Sequence, residues 1–248
     1  MSKLQQIAEI VHEYLPESRT SAVILAAGNS TRMGKENKQF CYLNGKPVLA
    51  HTLLAYQKCP LIREIIVVAK PSDFKKIFSI AKQFGIHKLT QIVGGGETRQ
   101  ESARRGVSKV SDETKFVAIA DGARCLTTPA QITKVCLCAY RQMAACAAHK
   151  LTDTVKRATV LGNVQESIDR EGLWQMQTPQ VFHTALYHAA LIKAEEENVT
   201  VTDDASLVEH LGYQIHLVEC GHANIKITTP DDLPLAQAIL NYRTRYKK

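Results

Sequence analysis

The sequence predicts an α/β protein built on a mostly parallel sheet with helices on both faces. Three observations predict it. Short β-branched runs alternate with longer amphipathic stretches, glycines and prolines punctuate their junctions, and the rhythm breaks only after Ala148. Such alternation makes successive strands parallel, because each helix must carry the chain back across the sheet.

Each element has its own signal. Leu4, Ile7, Ala8, Val11 and Leu15 recur at helical spacing before Pro16, so residues 1–20 read as a helical appendage. Ser21 to Ala26 reads as a buried strand, followed by a polar loop from Gly28 to Gly34. Asn44-Gly45 marks a turn, and Pro47 suits the first position of a helix running from Val48 to Lys58. Glu64 to Ala69 is β-branched, Pro71 to Phe84 is helical with Gly85 just past its end, and Leu89 to Val93 leads into three glycines. A helix from Glu97 to Val110, a strand from Lys115 to Ala120 and a helix from Pro129 to Met143 follow.

Between Lys150 and Gln177 no long amphipathic period appears. Val155, Val160, Val164 and Ile168 are interrupted by Gly162-Asn163, which predicts a β-hairpin arm inserted over about residues 150–177. Helices resume from Thr184 to Glu197 and from Asp203 to Leu211, the second with Thr202 as N-cap and Gly212 as its stop. Gln214 to Val218 and Ile225 to Thr228 read as strands, and Pro230 opens the last helix. The expectation is one Rossmann-like domain over residues 21–248 with a projecting arm.

Composition narrows the function. The 248 residues are 45% hydrophobic and 22% charged with net charge +7, an ordinary globular balance, and no apolar run approaches the roughly 20 residues that span a bilayer. Seven cysteines without a CxxC pair point to a reducing compartment rather than a disulfide framework. Nine scattered histidines without HExxH predict no protein metal site. The N-terminus lacks an apolar signal region and carries Glu9, Glu13 and Glu17, so a cytoplasmic protein is expected. Lysines and arginines are dispersed without interleaved aromatics, which argues against nucleic acid and suits either a small anionic ligand or simply a solvated basic surface.

The chemistry concentrates in the first loop. A strand, a glycine loop and a helix form a phosphate-binding arrangement, because turn N–H groups point at the anion. Gly28 to Gly34 matches neither GxGxxG nor the Walker A spacing. What remains is Arg32 and Lys38, two cations around one turn that could grip a triphosphate or simply sit on a surface turn. Asp121 follows a predicted strand, where ligands of open α/β sheets gather, although local sequence alone favours a turn or cap residue. Lys226, between Ile225 and Ile227, faces away from both by strand alternation, as either an edge lysine or a functional one.

A series of motifs then matches. Ala26-Ala27-Gly28-Asn29-Ser30-Thr31-Arg32-Met33-Gly34 with Lys38-Gln39-Phe40 resembles the signature of sugar and polyol nucleotidyltransferases. Gly95-Gly96-Glu97-Thr98-Arg99, Asp121-Gly122-Ala123-Arg124, Asp153-Thr154-Val155-Lys156, Asp169 to Trp174, Thr178-Pro179-Gln180, Thr202 to Ser206 and Asn224 to Thr228 continue it in order. The whole resembles the 2-C-methyl-D-erythritol 4-phosphate cytidylyltransferases of non-mevalonate isoprenoid synthesis. The resemblance implies attack of a polyol phosphate on the α-phosphorus of CTP with loss of pyrophosphate. It also implies Mg2+ held mainly by the CTP phosphates, and a homodimer joined through the arm.

By the same resemblance, Arg32, Lys38 and Lys226 would be catalytic. Ala26, Ala27, Gly28, Gly95, Glu97 and Ser102 would contact the nucleotide, and Asp121, Arg124, Thr154, Arg170, Thr178 and Thr202 the polyol phosphate. The chain departs from the pattern at Ser30, where a glycine is usual, and at Asn37, where a proline is. Gly122 and Cys125 replace an alanine and a proline, and Glu97 an aspartate. Ribitol 5-phosphate cytidylyltransferases share the glycine loop, KQF, TPQ and NIKITTP, but the arm motif Asp169 to Trp174 resembles the erythritol enzymes. A catalytically silent nucleotide-binding protein would be expected to have lost one of the three cations, and all are present.

Overall fold

A computed structural model of the chain describes residues 19–34 and 37–246. The helix expected within residues 1–20 and the last two lysines of the tail lie outside the described residues. One sheet joins β1 (Thr20–Leu25), β4 (Ile62–Ala69), β5 (Leu89–Gly94), β6 (Phe116–Asp121), β7 (Ala144–Lys150), β10 (Trp174–His183) and β11 (His216–Glu219). Their order is β11-β7-β10-β6-β1-β4-β5, and only β10 runs antiparallel to its neighbours. Two short ribbons complete the strands: β2 (Tyr42–Leu43) with β3 (Lys46–Pro47), and β8 (Val155–Ala158) with β9 (Val164–Ile168).

Alternation explains the layers. Ala22 and Ile24 of β1 face one side and Val23 the other, while Phe116, Ala118 and Ala120 of β6 alternate with Val117 and Ile119. Both sets are buried, so both faces must be covered. On the first face lie α1 (Val48–Lys58), α2 (Phe74–Gln83) and α4 (Pro129–Gln142). On the second lie α3 (Arg99–Val107), α5 (Thr184–Glu196) and α6 (Asp204–His210). The closing helix, α7 (Asp232–Tyr246), packs Ala236 into a smaller cluster with Met33, Leu126 and Ile227.

Five local expectations are corrected. Ile225–Thr228 is not a strand: Ile227 donates one backbone hydrogen bond to Ala123 at 2.9 Å and buries its side chain in the small cluster, outside the sheet. Asp203, not Thr202, caps α6, its carboxylate accepting from the Ser206 N–H at 3.1 Å. Pro47 precedes α1 as its N-cap, and α7 begins at Asp232, two residues beyond Pro230. The predicted arm also overlaps the sheet, because Lys150 pairs with Trp174 and residues 174–177 belong to β10.

The projecting part is therefore residues 151–173. Its ribbon pairs Val155 with Ile168 and Arg157 with Glu166, and Gly162 takes φ 84° in the connecting turn. Val160 and Leu161 are 106% and 87% exposed at its tip. No helix among the described residues is long and apolar enough to cross a membrane.

Candidate active site

From β1 the chain moves to β4 on one side, and later returns to β6 on the other. The loops after β1 and β6 therefore part at the carboxyl ends of the strands, and such a switch point opens a crevice. A cavity of about 420 Å³ occupies it, lined by Ala27, Gly28 and Asn29 after β1, Asp121 and Ala123 at the end of β6, and Lys38, Gln39 and Lys226. Gly96, Glu97, Thr98, Arg99 and Ser102 complete the wall.

Small residues shape one end. A Cβ at Gly95 would stand 2.4 Å from the Ala27 Cβ, so the two loops meet only because Gly95 has no side chain. The Ser102 hydroxyl accepts from the Gly96 N–H at 3.0 Å, and Thr98 caps α3 by accepting from the Glu101 N–H at 3.0 Å. In the β1 loop Ser30 holds φ 52°, the left-handed region that glycine favours, and its buried hydroxyl has no hydrogen-bond partner among the described residues. The departure at this position thus carries backbone strain.

Cations dominate the other end. Lys226 Nζ lies 2.9 Å from Asp121 Oδ2, with Arg124 Nε 3.6 Å from the same oxygen and Arg99 Nε 3.8 Å from the other. Burial opposes ionisation of Asp121, but Lys226, Arg99 and Arg124 together outweigh it and hold the carboxyl below its ordinary range. Burial, and next the charge of Lys226, pulls the Lys38 pKa down, with Arg32 adding to the repulsion. Lys38 and Lys226 thus come together beside the Asp121 carboxylate, with Arg32 near enough to act on Lys38 by its charge. Such a field attracts a polyanion.

Buried groups fix these cations. Arg124 donates to the backbone carbonyls of Asn224 at 2.7 Å and Met176 at 3.2 Å. Asn224 is fully buried; its amide donates to the Thr178 carbonyl at 3.0 Å and accepts from the Thr127 hydroxyl at 2.8 Å. The irregular segment carrying Lys226 is pinned in this way two residues before the lysine. On the far wall, Arg99 lies 2.6 Å from the fully buried Asp204, which also accepts from Tyr187 at 2.7 Å. Burial pushes the Asp204 carboxyl up despite Arg99.

The predicted residues divide into three sets. Ala27, Gly28, Lys38, Glu97, Ser102, Asp121 and Lys226 line the cavity, and Arg124 and Thr178 touch Asp121, Thr178 Oγ1 accepting its backbone N–H at 3.1 Å. Ala26 and Gly95 support it from beneath, bonding through their N–H groups to Val68 and Ala69. Thr154 and Arg170 lie exposed on the arm, where Arg170 donates to the Thr152 carbonyl, and Thr202 is exposed before α6. Arg32, expected to be catalytic, is exposed as well, and none of these four lines the cavity. Sequence reasoning did not single out Arg99, Gln39 or Asn29, although each falls inside a quoted motif.

A family model described as 2-C-methyl-D-erythritol 4-phosphate cytidylyltransferase matches residues 20–242. The chain is 42% identical over 221 residues to the 2-C-methyl-D-erythritol 4-phosphate cytidylyltransferase of Syntrophus aciditrophicus, covering 88% of this chain and 94% of that protein. It is 43% identical over 222 residues to that of Caldanaerobacter subterraneus subsp. tengcongensis, covering 89% and 98%. The crystal structure of 4-diphosphocytidyl-2C-methyl-D-erythritol synthase from Anaerococcus prevotii superposes with a TM-score of 0.81 at 28% identity, covering 92% of this chain and 99% of that one. That of the cytidylyltransferase from Thermus thermophilus gives 0.73 at 30% identity, covering 90% and 99%. With matching motifs, fold and near-complete coverage, the chain belongs to the 2-C-methyl-D-erythritol 4-phosphate cytidylyltransferase family and is a nucleotidyltransferase.

Proposed function

We propose that this chain transfers the cytidylyl group of CTP to 2-C-methyl-D-erythritol 4-phosphate in the cavity at the ends of β1 and β6. The observation that carries the reading is the convergence of Lys38 and Lys226 on a crevice whose other end is walled by small residues. A phosphate monoester is largely ionised near neutral pH, so its oxygen attacks the α-phosphorus without a general base. The new P–O bond forms as the bond to the departing pyrophosphate breaks. Two polyanions must be brought together and the charge on the α-phosphoryl oxygens stabilised, which is work for positioned cations.

Lys38 and Arg32 serve the triphosphate in this reading, and Lys226, held by Asp121, serves the α-phosphoryl group between both substrates. Ala26, Ala27, Gly28, Gly95, Glu97 and Ser102 take the cytidine end. Asp121, Arg124 and Thr178 face the polyol phosphate.

Magnesium fits as a companion of the nucleotide. Among the described residues no group of three or more His, Cys, Asp and Glu could cage an ion, and Asp121 already faces three cations. Bound through the phosphates, the ion would neutralise their oxygens.

The arm supports a homodimer. An isolated two-stranded ribbon is marginal in water, and Val160, Leu161 and Val164 are exposed at its tip. A second copy of the chain is the economical cover. Thr154 and Arg170, with Thr202 before α6, would then complete the acceptor site by packing rather than by sequence proximity. The cysteine usage supports residence in the cytoplasm.

The deciding measurement is pyrophosphate release from CTP with a panel of polyol phosphates, with and without a chelator. Release with the erythritol derivative that chelation abolishes is the expected result. Release confined to ribitol 5-phosphate would assign the sister activity instead, and release unaffected by chelation would remove magnesium.

A further inference from the structure

The turn that carries Lys38 is gripped from outside the cavity. Lys38–Phe40 form one tight helical turn after Asn37, and both ends of the Asn37 amide are engaged. Its carbonyl oxygen accepts from the Gln39 N–H at 3.1 Å, and its amino group donates to Asp73 Oδ2 at 3.1 Å. Its backbone carbonyl accepts from the Phe40 N–H at 2.9 Å.

Asp73 stands at the N-cap of α2, where an aspartate ordinarily accepts from the free N–H groups of the helix. It makes no such bond here. The carboxylate is turned to Asn37 instead. Three residues on, Lys76 sets its ammonium 3.9 Å above the ring of Phe40. Helix α2 therefore holds both ends of the turn, and Lys38 projects from between them into the cavity.

The grip has a purpose that local folding does not require. Lys226 and Arg32 repel the half-buried Lys38, and its long stem has many rotamers, so its ammonium stays in the cavity only if the backbone beneath it is fixed. We propose that Asn37 and Asp73 are positioning residues for Lys38, forming a latch through which α2 sets the place of that ammonium. The proposal rests on Lys38 acting on the phosphates.

A double-mutant cycle tests it. Asp73→Ala should lower kcat about 10-fold, since small misplacements of a reacting group are costly, while the melting temperature and helical signal stay unchanged because Asp73 caps nothing. In a Lys38→Ala background the same change should cost no further activity. Asn37→Asp keeps the cap on Gln39 but sets two carboxylates face to face, and should lose activity. Adding Asp73→Asn to it restores a donor and an acceptor with their places exchanged, and should recover kcat.

Full kcat in Asp73→Ala, losses that multiply with Lys38→Ala, or a swap that recovers nothing would each overturn the latch. Near-native turnover in Lys38→Ala alone would instead overturn the role of Lys38 itself. That result is read without any latch variant.

Discussion

At the scale of single residues, Lys38 and Lys226 are separated by almost the whole domain in sequence and meet across Asp121. On the proposed reading, replacing either with alanine removes a preorganised cation from the reacting phosphates, for which a loss of about 100- to 1,000-fold in kcat is typical. The fold should be untouched, because both line a cavity rather than a core, and thermal melting beside steady-state kinetics checks both halves. Lys38 also sets a pH limit. Its pKa is lowered from 10.5 by burial and then by Lys226, so it loses its proton at lower pH than an ordinary lysine. The alkaline limb of kcat/KM should fall below 10.5 and move upward in Lys38→Arg, whose guanidinium stays charged. The two lysines were legible because motif order carried them. Arg99 was not, since nothing local reveals that a buried Asp204 on a distant helix waits for it.

Elements were legible where their side chains speak for themselves. Strand β1, apolar on both faces, could hardly be anything else, whereas β7 was missed. Its Ala144-Ala145-Cys146-Ala147-Ala148 core has little intrinsic strand preference and is held by neighbours on both sides. Strand β10 was missed for the opposite reason. Pro179 argues against a central strand, and it is accommodated only because the ladder with β7 is irregular between Met176 and Gln180.

Helix α3 offers a test of packing: a Cβ at Gly106 would stand 2.4 Å from Val23 Cγ1 and 2.7 Å from Val68 Cγ2, both on buried strands. Gly106→Ala should destabilise the protein by about 1–3 kcal/mol, the usual cost of overpacking, as read by denaturant unfolding. The arm allows a different test. If Arg170 completes the site of a second copy, mixing inactive Arg170→Ala with inactive Lys38→Ala under subunit exchange should restore activity. No recovery would mean that each chain supplies its whole site alone.

For the whole molecule, acid is the expected weakness. Burial lowers the pKa of His51, His149 and His183 below the ordinary 6.5. His149 illustrates why. Gln177 accepts from Asn224 with its oxygen, so its amino group faces His149 Nδ1 at 2.9 Å and requires an unprotonated nitrogen there. The unfolded chain takes up protons first as pH drops. Stability should therefore be full above about 6.5 and decline as pH falls through the lower folded values, with a shallower decline in His149→Gln, measured as melting temperature against pH.

The roots of the arm carry a last consequence. Lys150 and Trp174 are ladder partners, and the Leu151 N–H bonds to the Leu173 carbonyl at 3.1 Å, so everything that projects enters and leaves through a single seam. A segment with zipped ends behaves as a cassette: it can lengthen, shorten or be exchanged for another without asking the crevice at the ends of β1 and β6 to move. If the arm completes a neighbouring acceptor site, as proposed, its share of acceptor recognition can then change in evolution while the crevice of the sheet stays as it is.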